Sequence, residues 1–198
     1  MSLLVESIKL LDGQFFNLFY HEQRMLRSFH MLFGSHIDFN LEEFLNEVNF
    51  PKEGLYKCRI VYDDVSREVE FHPYQPKAIT SLRVIEHDRI SYEFKYNDRE
   101  TIDRLYQLRK NCDDILIVRK DMVTDSSFAN IVFRKGKEWF TPWAPLLKGT
   151  QRQKLIDLNK ITEEEIKAKD IRSFDTFKLI NAMVEFDGPE IDVQNIVH

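Results

Sequence analysis

The stretch Val123-Thr-Asp-Ser-Ser-Phe-Ala-Asn-Ile-Val-Phe133, followed by Phe140-Thr-Pro142 and Leu147-Lys-Gly-Thr-Gln-Arg152, decides the fold. Phe128, Ile131 and Phe133 are apolar strand positions, Lys135-Gly136-Lys137 is a turn, and Trp139 and Phe140 lie on a return strand, so the residues predict a β-hairpin. Asp125 stands just before the first strand, where a short carboxylate also suits an Asx-turn onto Ser126 or Ser127. After Pro142 and Pro145 the chain passes Gly149 into an amphipathic run with Leu155, Ile156 and Leu158, which puts Thr150 and Gln151 in a first helical turn. First-turn amides at the positive end of a helix suit an anion such as a phosphate, and Gly149 would let it approach. Water and a capping side chain satisfy the same amides equally well.

Upstream, Leu3–Leu11 and Gln14–Phe19 flank Asp12-Gly13, a two-residue hairpin turn. Tyr20–Phe33 has helical periodicity and stops at Gly34, Asn40 can cap a helix through Leu41, Phe44 and Leu45, and strands follow at Leu55–Tyr62 and Glu68–Phe71. His72-Pro73-Tyr74-Gln75-Pro76 breaks both patterns and is expected to separate an N-terminal α+β lobe, residues 1–74, from a larger β-rich lobe, residues 75–198. The second lobe is expected to hold strands at Ser81–Glu86 and Asp114–Val118 around a helix from Asp98 to Lys110. After the Arg152 helix, short strands are expected near Ile166 and at Leu179–Val184. The alternation lacks regular βαβ spacing, which makes the class α+β.

Composition narrows the function. In 198 residues, 28 Lys and Arg stand against 33 Asp and Glu, a net charge of -5 that argues against nucleic acid as a partner. No apolar run approaches membrane-spanning length and the N-terminus lacks a secretory pattern, so a cytoplasmic protein is expected. Cys58 and Cys112 are far apart and the six histidines show no ligand spacing, so neither a disulfide framework nor a metal site is expected. Thr162-Glu-Glu-Glu165 reads as a solvated face or a first helical turn.

Taken in order, Asp125, Asn130-Ile131, Thr141-Pro142 and Leu147-Lys-Gly-Thr-Gln-Arg152 resemble the signature of the class IV aminotransferases, the fold-type IV pyridoxal-phosphate enzymes. Val5-Glu-Ser-Ile-Lys9, Asp12-Gly13 and His21-Glu-Gln-Arg24 extend the resemblance through the N-terminal lobe, and it runs from Val5 to about Met183. The chain starts within the family's second or third strand and is shorter than the family before the lysine, which suggests a compact variant or a divergent role.

The resemblance implies pyridoxal 5'-phosphate held between two lobes. Lys95, in Lys95-Tyr-Asn-Asp-Arg99, is the expected aldimine lysine and proton shuttle. By spacing alone it is either a snorkelling surface lysine or an amine partly desolvated by Phe94 and Tyr96. Asp125 would bond the pyridine nitrogen, where the family usually has Glu. Arg24, with the Thr150 and Gln151 amides, Gly149, and the Asn181-Ala182 loop, would hold the phosphate. On residue type alone, Arg24 pairs equally well with Glu22 or Asp38. The family's arginine-rich carboxylate trap is absent after Tyr62-Asp63-Asp64, which leaves Lys9, Arg59, Tyr62 and Arg99 as candidates for an amino-acid-like substrate. Family members are homodimers, and aminotransferases and 4-amino-4-deoxychorismate lyases share these residues. A homologue that keeps the fold and has lost turnover is the competing class.

Overall fold

The computed structural model describes residues 3–34 and 39–198, and the chain divides into two compact units. The first contains Met1–Pro76 and Phe94–Asp98. Its sheet grows from the predicted hairpin: β1 (Leu4–Leu11) turns through Asp12 and Gly13, both at positive φ, into the short β2 (Gln14–Phe15). α1 (Leu18–Phe33) follows and ends on Gly34 in the left-handed conformation, as a glycine stop should. α2 (Leu41–Asn46) starts where Asn40 Oδ1 accepts from Glu43 N at 3.0 Å. β3 (Leu55–Tyr62) and β4 (Arg67–Pro73) complete an antiparallel sheet in the order β2-β1-β3-β4.

Strand alternation decides which residues this unit buries. Leu4, Glu6, Ile8 and Leu10 of β1 and Cys58, Ile60 and Tyr62 of β3 are buried. All but Glu6 and Leu10 belong to one core cluster with Met25 and Phe29 of α1 and Leu41 and Leu45 of α2. The alternate positions, including Ser7, Lys9, Lys57 and Arg59, point to the opposite face.

The second unit, Lys77–Glu93 and Arg99–His198, starts with β5 (Leu82–Glu86), α3 (Glu100–Tyr106) and β6 (Asp114–Arg119). β5 and β6 pair in parallel. β7 (Met122–Ser126), β8 (Asn130–Lys135) and β9 (Glu138–Pro142) continue antiparallel, and α4 (Thr150–Asp157) leads to β10 (Thr162–Glu164), parallel to β9. β11 (Thr176–Ile180) pairs with β8, while β12 (Ile191–Asp192) and β13 (Ile196–Val197) add to β11 and β5. The core of Leu82, Leu116, Val118, Ile131, Phe133 and Phe177 is continuous through these strands.

The structure departs from the sequence expectations in several places, among them the strand expected at Leu179–Val184, which instead covers Thr176–Ile180 and is followed by the Asn181 turn. β7 is a strand that the residues did not announce, because its turn from β6 is made by Lys120 and Asp121 at φ 52 and 63 without a glycine. Tertiary contacts hold that turn: Lys120 N donates to Asp88 Oδ1 and Ala168 N to Asp121 O, each at 2.8 Å. Asp125 therefore sits inside β7, and still ahead of β8, the first strand of the expected hairpin. Phe94–Asp98, placed by sequence in the C-terminal lobe, clusters with the first unit because Val5 N donates to Lys95 O and Asn97 N to Leu3 O, both at 2.9 Å. Thr162–Glu164 is an exposed strand, not a helix start, and Ile166 lies beyond it.

Candidate active site

In the first unit the buried face of β1 carries one carboxylate, Glu6, among Leu4, Ile8 and Leu10. A buried carboxylate needs charged partners, and α1 supplies two from positions one turn apart. His21 Nδ1 lies 2.6 Å from Glu6 Oε2, Arg24 Nε donates to Glu6 Oε1 at 2.8 Å, and Arg24 Nη2 donates to Oε2. Burial by itself would push the Glu6 pKa up, but the Arg24 and His21 charges and hydrogen bonds outweigh it and hold Glu6 at about 2. His21 is moved the other way: burial lowers its pKa, against the raising effect of Glu6. His21 is then the neutral Nδ1–H tautomer, donating to Glu6. Arg24 is thus oriented by Glu6; Asp38 lies outside the described residues.

Lys95 is half-buried, and its charge is one of those that disfavour protonation of His21. The structure therefore brings Lys95, His21, Glu6 and Arg24 into one electrostatic group. Among the substrate candidates, Ser7 pairs with Arg59 and Lys9 with Lys57 across β1 and β3, which puts Lys9 and Arg59 on one face. Arg59 donates to Glu70 Oε2 at 3.0 Å and to Asn97 Oδ1, and the Lys9 amine stands 4.8 Å over the Phe16 ring. Tyr62 points to the opposite face and is 1% exposed, with burial pushing its pKa far above the ordinary range. Tyr62 is a core residue and not a substrate contact.

In the second unit Asp125 is the centre. Its Oδ1 accepts from Asn130 Nδ2 at 2.7 Å and its Oδ2 from Leu147 N at 2.9 Å, with Leu146 N a further donor. Burial dominates and raises its pKa to about 6, against the lowering by Leu147, Asn130 and Arg152. A carboxylate has about four acceptor positions, so Asp125 retains capacity for one more donor. Asn130 Nδ2 also donates to Leu147 O at 2.9 Å. A Cβ on Gly149 would fall 2.0 Å from Asn130 Oδ1. The glycine expected to admit an anion instead makes room for Asn130.

Thr150 and Gln151 are buried in the first turn of α4. Arg152 is 1% exposed and holds Pro142 O at 2.8 Å and Glu163 Oε1 at 2.6 Å, so it locks α4 against the hairpin. Ile180 pairs with Asn130, which sets Asn181 and Ala182 at the same end of β8. Asn181 Oδ1 closes its own turn by accepting from Met183 N and Val184 N at 2.8 Å each, and its Nδ2 donates to Phe128 O at 3.3 Å. Arg99 Nη2 donates to Ser127 O at 2.7 Å. Arg99 and Asn181 thus both anchor the Ser126–Ala129 turn next to Asp125. Glu6, His21, Asn130 and Arg152 were not among the expected site residues. Glu6 was findable as a carboxylate in phase with Leu4, Ile8 and Leu10, and Asn130 and Arg152 from their place in the signature.

A family model described as amino-transferase class IV matches residues 3–186. The chain belongs to that family. An uncharacterized Haemophilus influenzae protein is 37% identical over 182 residues, 91% of this chain and 97% of its own length. A Haemophilus somnus structure provisionally described as a 4-amino-4-deoxychorismate lyase is 34% identical, with a TM-score of 0.88 over 94% of this chain and 98% of its own. A Brucella abortus aminotransferase bound to pyridoxal phosphate shares the fold with a TM-score of 0.75 at 19% identity, over 96% of this chain and 83% of its own. The fold-type IV assignment follows from this class IV membership.

Two outcomes are expected from the Asp125 network. Gly149→Ala pushes Asn130 off Asp125 and Leu147, and should destabilise the protein by about 2–4 kcal/mol in urea denaturation; a change within error would mean that Asn130 moves without loss. For Asp125, with a pKa raised from 3.8 to about 6, the folded state holds the extra proton between those values. Its stabilising contribution is fully present below about pH 4 and is lost as pH rises through about 6, on the order of 3 kcal/mol. The stability difference between wild type and Asp125→Asn should slope across that window in the cofactor-free protein. A flat difference would contradict the buried, proton-holding carboxylate.

Proposed function

We propose that this chain is a pyridoxal-phosphate-dependent enzyme acting on an amino-acid-like substrate, with aminotransferase or 4-amino-4-deoxychorismate lyase chemistry. The observation that carries the proposal is Asp125, a buried carboxylate in the family's ring-nitrogen position with acceptor capacity left for one donor. Each unit holds groups whose chemistry fits the cofactor: in the second, an anionic acceptor for a pyridinium N–H and a helix N-terminus for phosphate; in the first, an arginine and a half-buried lysine amine. When bound, pyridoxal phosphate supplies a protonated ring that takes up the electrons of a substrate carbanion.

The rest falls to the chain. Asp125 accepts the ring N–H and keeps that proton in place. The α4 first turn at Thr150 and Gln151, with Arg24 oriented by Glu6, holds phosphate oxygens, and the Asn181-Ala182 turn completes that side. Lys95 Nζ would supply the amine that holds the cofactor and the base for the substrate α-proton. Lys9 and Arg59 are the proposed partners of a substrate carboxylate, while Arg99 positions the Ser126–Ala129 turn. A homodimer in the cytoplasm accompanies this proposal.

One observation favours a second reading, a homologue that binds ligand without turnover. The β3–β4 connection, where the family's carboxylate trap would follow, is a short turn closed by Asp63 Oδ1 accepting from Val65 N at 2.8 Å and Ser66 N at 2.7 Å. A screen of amino donors alongside 4-amino-4-deoxychorismate separates the possibilities. Keto-acid formation from an amino donor indicates transamination, and pyruvate release from the chorismate compound indicates the lyase. Bound cofactor that never reacts indicates the second reading. A protein that takes up no cofactor contradicts the proposal.

A further inference from the structure

The second unit carries an open pocket of about 510 Å³ lined by His87, Arg89, Ser91, Thr101 and Arg104, with Leu105 among its apolar residues. It lies at a place where the topology favours binding. β5 and β6 are parallel, and His87–Ser91 leaves the C-terminal end of β5 while Thr101 and Arg104 belong to the crossover helix α3. Crevices beyond the C-terminal ends of parallel strands are the common ligand positions of such units.

The lining carries two guanidinium groups and two hydroxyls. Arg89 is exposed, and among the described residues it has no recorded acidic partner. Arg104 has a loose one, with Glu100 Oε1 3.9 Å from its Nε and both side chains largely exposed, an arrangement that contributes little and is readily exchanged. Arg104 Nη2 stands 3.5 Å from Thr101 Oγ1, so the hydroxyl and the guanidinium share one side of the opening. His87 Nδ1 is buried without a hydrogen-bond partner among the described residues. The backbone on either side of the ring is fixed, with His87 N donating to Val118 O at 2.8 Å and Ile90 N to His87 O at 3.4 Å. Two arginines and two hydroxyls lining one pocket, from the segment after β5 and from α3, match the several oxygens of a phosphate better than the two of a carboxylate.

We infer that this pocket binds a phosphate monoester with a small apolar body. The site stands independently of the proposal for Asp125 and Lys95. Its test is calorimetric titration of phenyl phosphate into protein loaded with pyridoxal phosphate and then desalted to remove the free cofactor, with benzoate and inorganic phosphate titrated alongside. Phenyl phosphate should bind saturably and more tightly than either comparison ligand. Arg89→Gln/Arg104→Gln should weaken it by about tenfold or more, as expected on losing charge-assisted hydrogen bonds, with the melting temperature unchanged. If the double variant does not fold, Arg89→Gln alone carries the same readout. No saturable binding to the wild type, or equal binding to wild type and variant, overturns the inference. Benzoate binding as tightly as phenyl phosphate overturns the assignment to phosphate.

Discussion

Lys95→Ala is expected to lower turnover by about a thousandfold or more, because it removes both the amine that tethers the cofactor and the base that moves the substrate proton. Lys95→Arg should not restore activity: guanidinium keeps the charge but neither condenses with an aldehyde nor gives up a proton near neutral pH. A second readout separates this role from a structural one. The Lys95 charge disfavours protonation of His21, so in Lys95→Ala the His21 resonances should titrate at higher pH than in the wild type. In Lys95→Arg they should stay close to the wild-type position. Full activity in Lys95→Ala, measured on the substrate that the donor screen identifies, would remove Lys95 from the chemistry.

The largest effect on stability is expected from Glu6→Ala. That change leaves His21 and Arg24 beside a hole in the core of the first unit, and breaking a buried charge group from one side costs about 3–5 kcal/mol. Glu6→Gln keeps the shape and isolates the charge. The Glu6 pKa falls from 4.5 to about 2 on folding, so its stabilisation is fully present above about pH 4.5 and is lost as pH falls through about 2. The gap between wild type and Glu6→Gln should therefore close on acidification. Asp125 has the opposite sign in a window that overlaps this one between pH 3.8 and 4.5, which is why each group must be read as a difference from its own variant. A gap that stays constant down to pH ~2 would contradict the charge pairing.

The sequence was most readable where local rules and tertiary structure agree. The Asp12-Gly13 turn, the Gly34 stop and the Asn40 cap all appear as expected, because each depends on one residue's own backbone or side-chain preference. β7 escaped notice because Lys120 and Asp121 take left-handed conformations that neighbours from distant parts of the chain stabilise. Gly149 reads in the sequence as a glycine that would admit an anion, while the contact that requires it lies nineteen residues upstream at Asn130, a packing contact that spacing does not reveal. Likewise, Arg24 was named without the carboxylate that orients it. The Glu6 contact joins residues 18 apart, and its trace in the sequence is one acidic residue in phase with buried leucines. Tyr62 failed as a substrate candidate for the same reason of phase: it alternates with Arg59 and faces the core.

The central claim, a cofactor tethered at Lys95, is tested most directly by trapping the linkage. The protein is mixed with pyridoxal 5'-phosphate, reduced with borohydride, digested and mapped by mass spectrometry. The account predicts a visible absorption band that borohydride bleaches and one pyridoxyl label, on the peptide carrying Lys95. Absence of the band together with no label, or a label distributed over surface lysines and unchanged in Lys95→Ala, would contradict it.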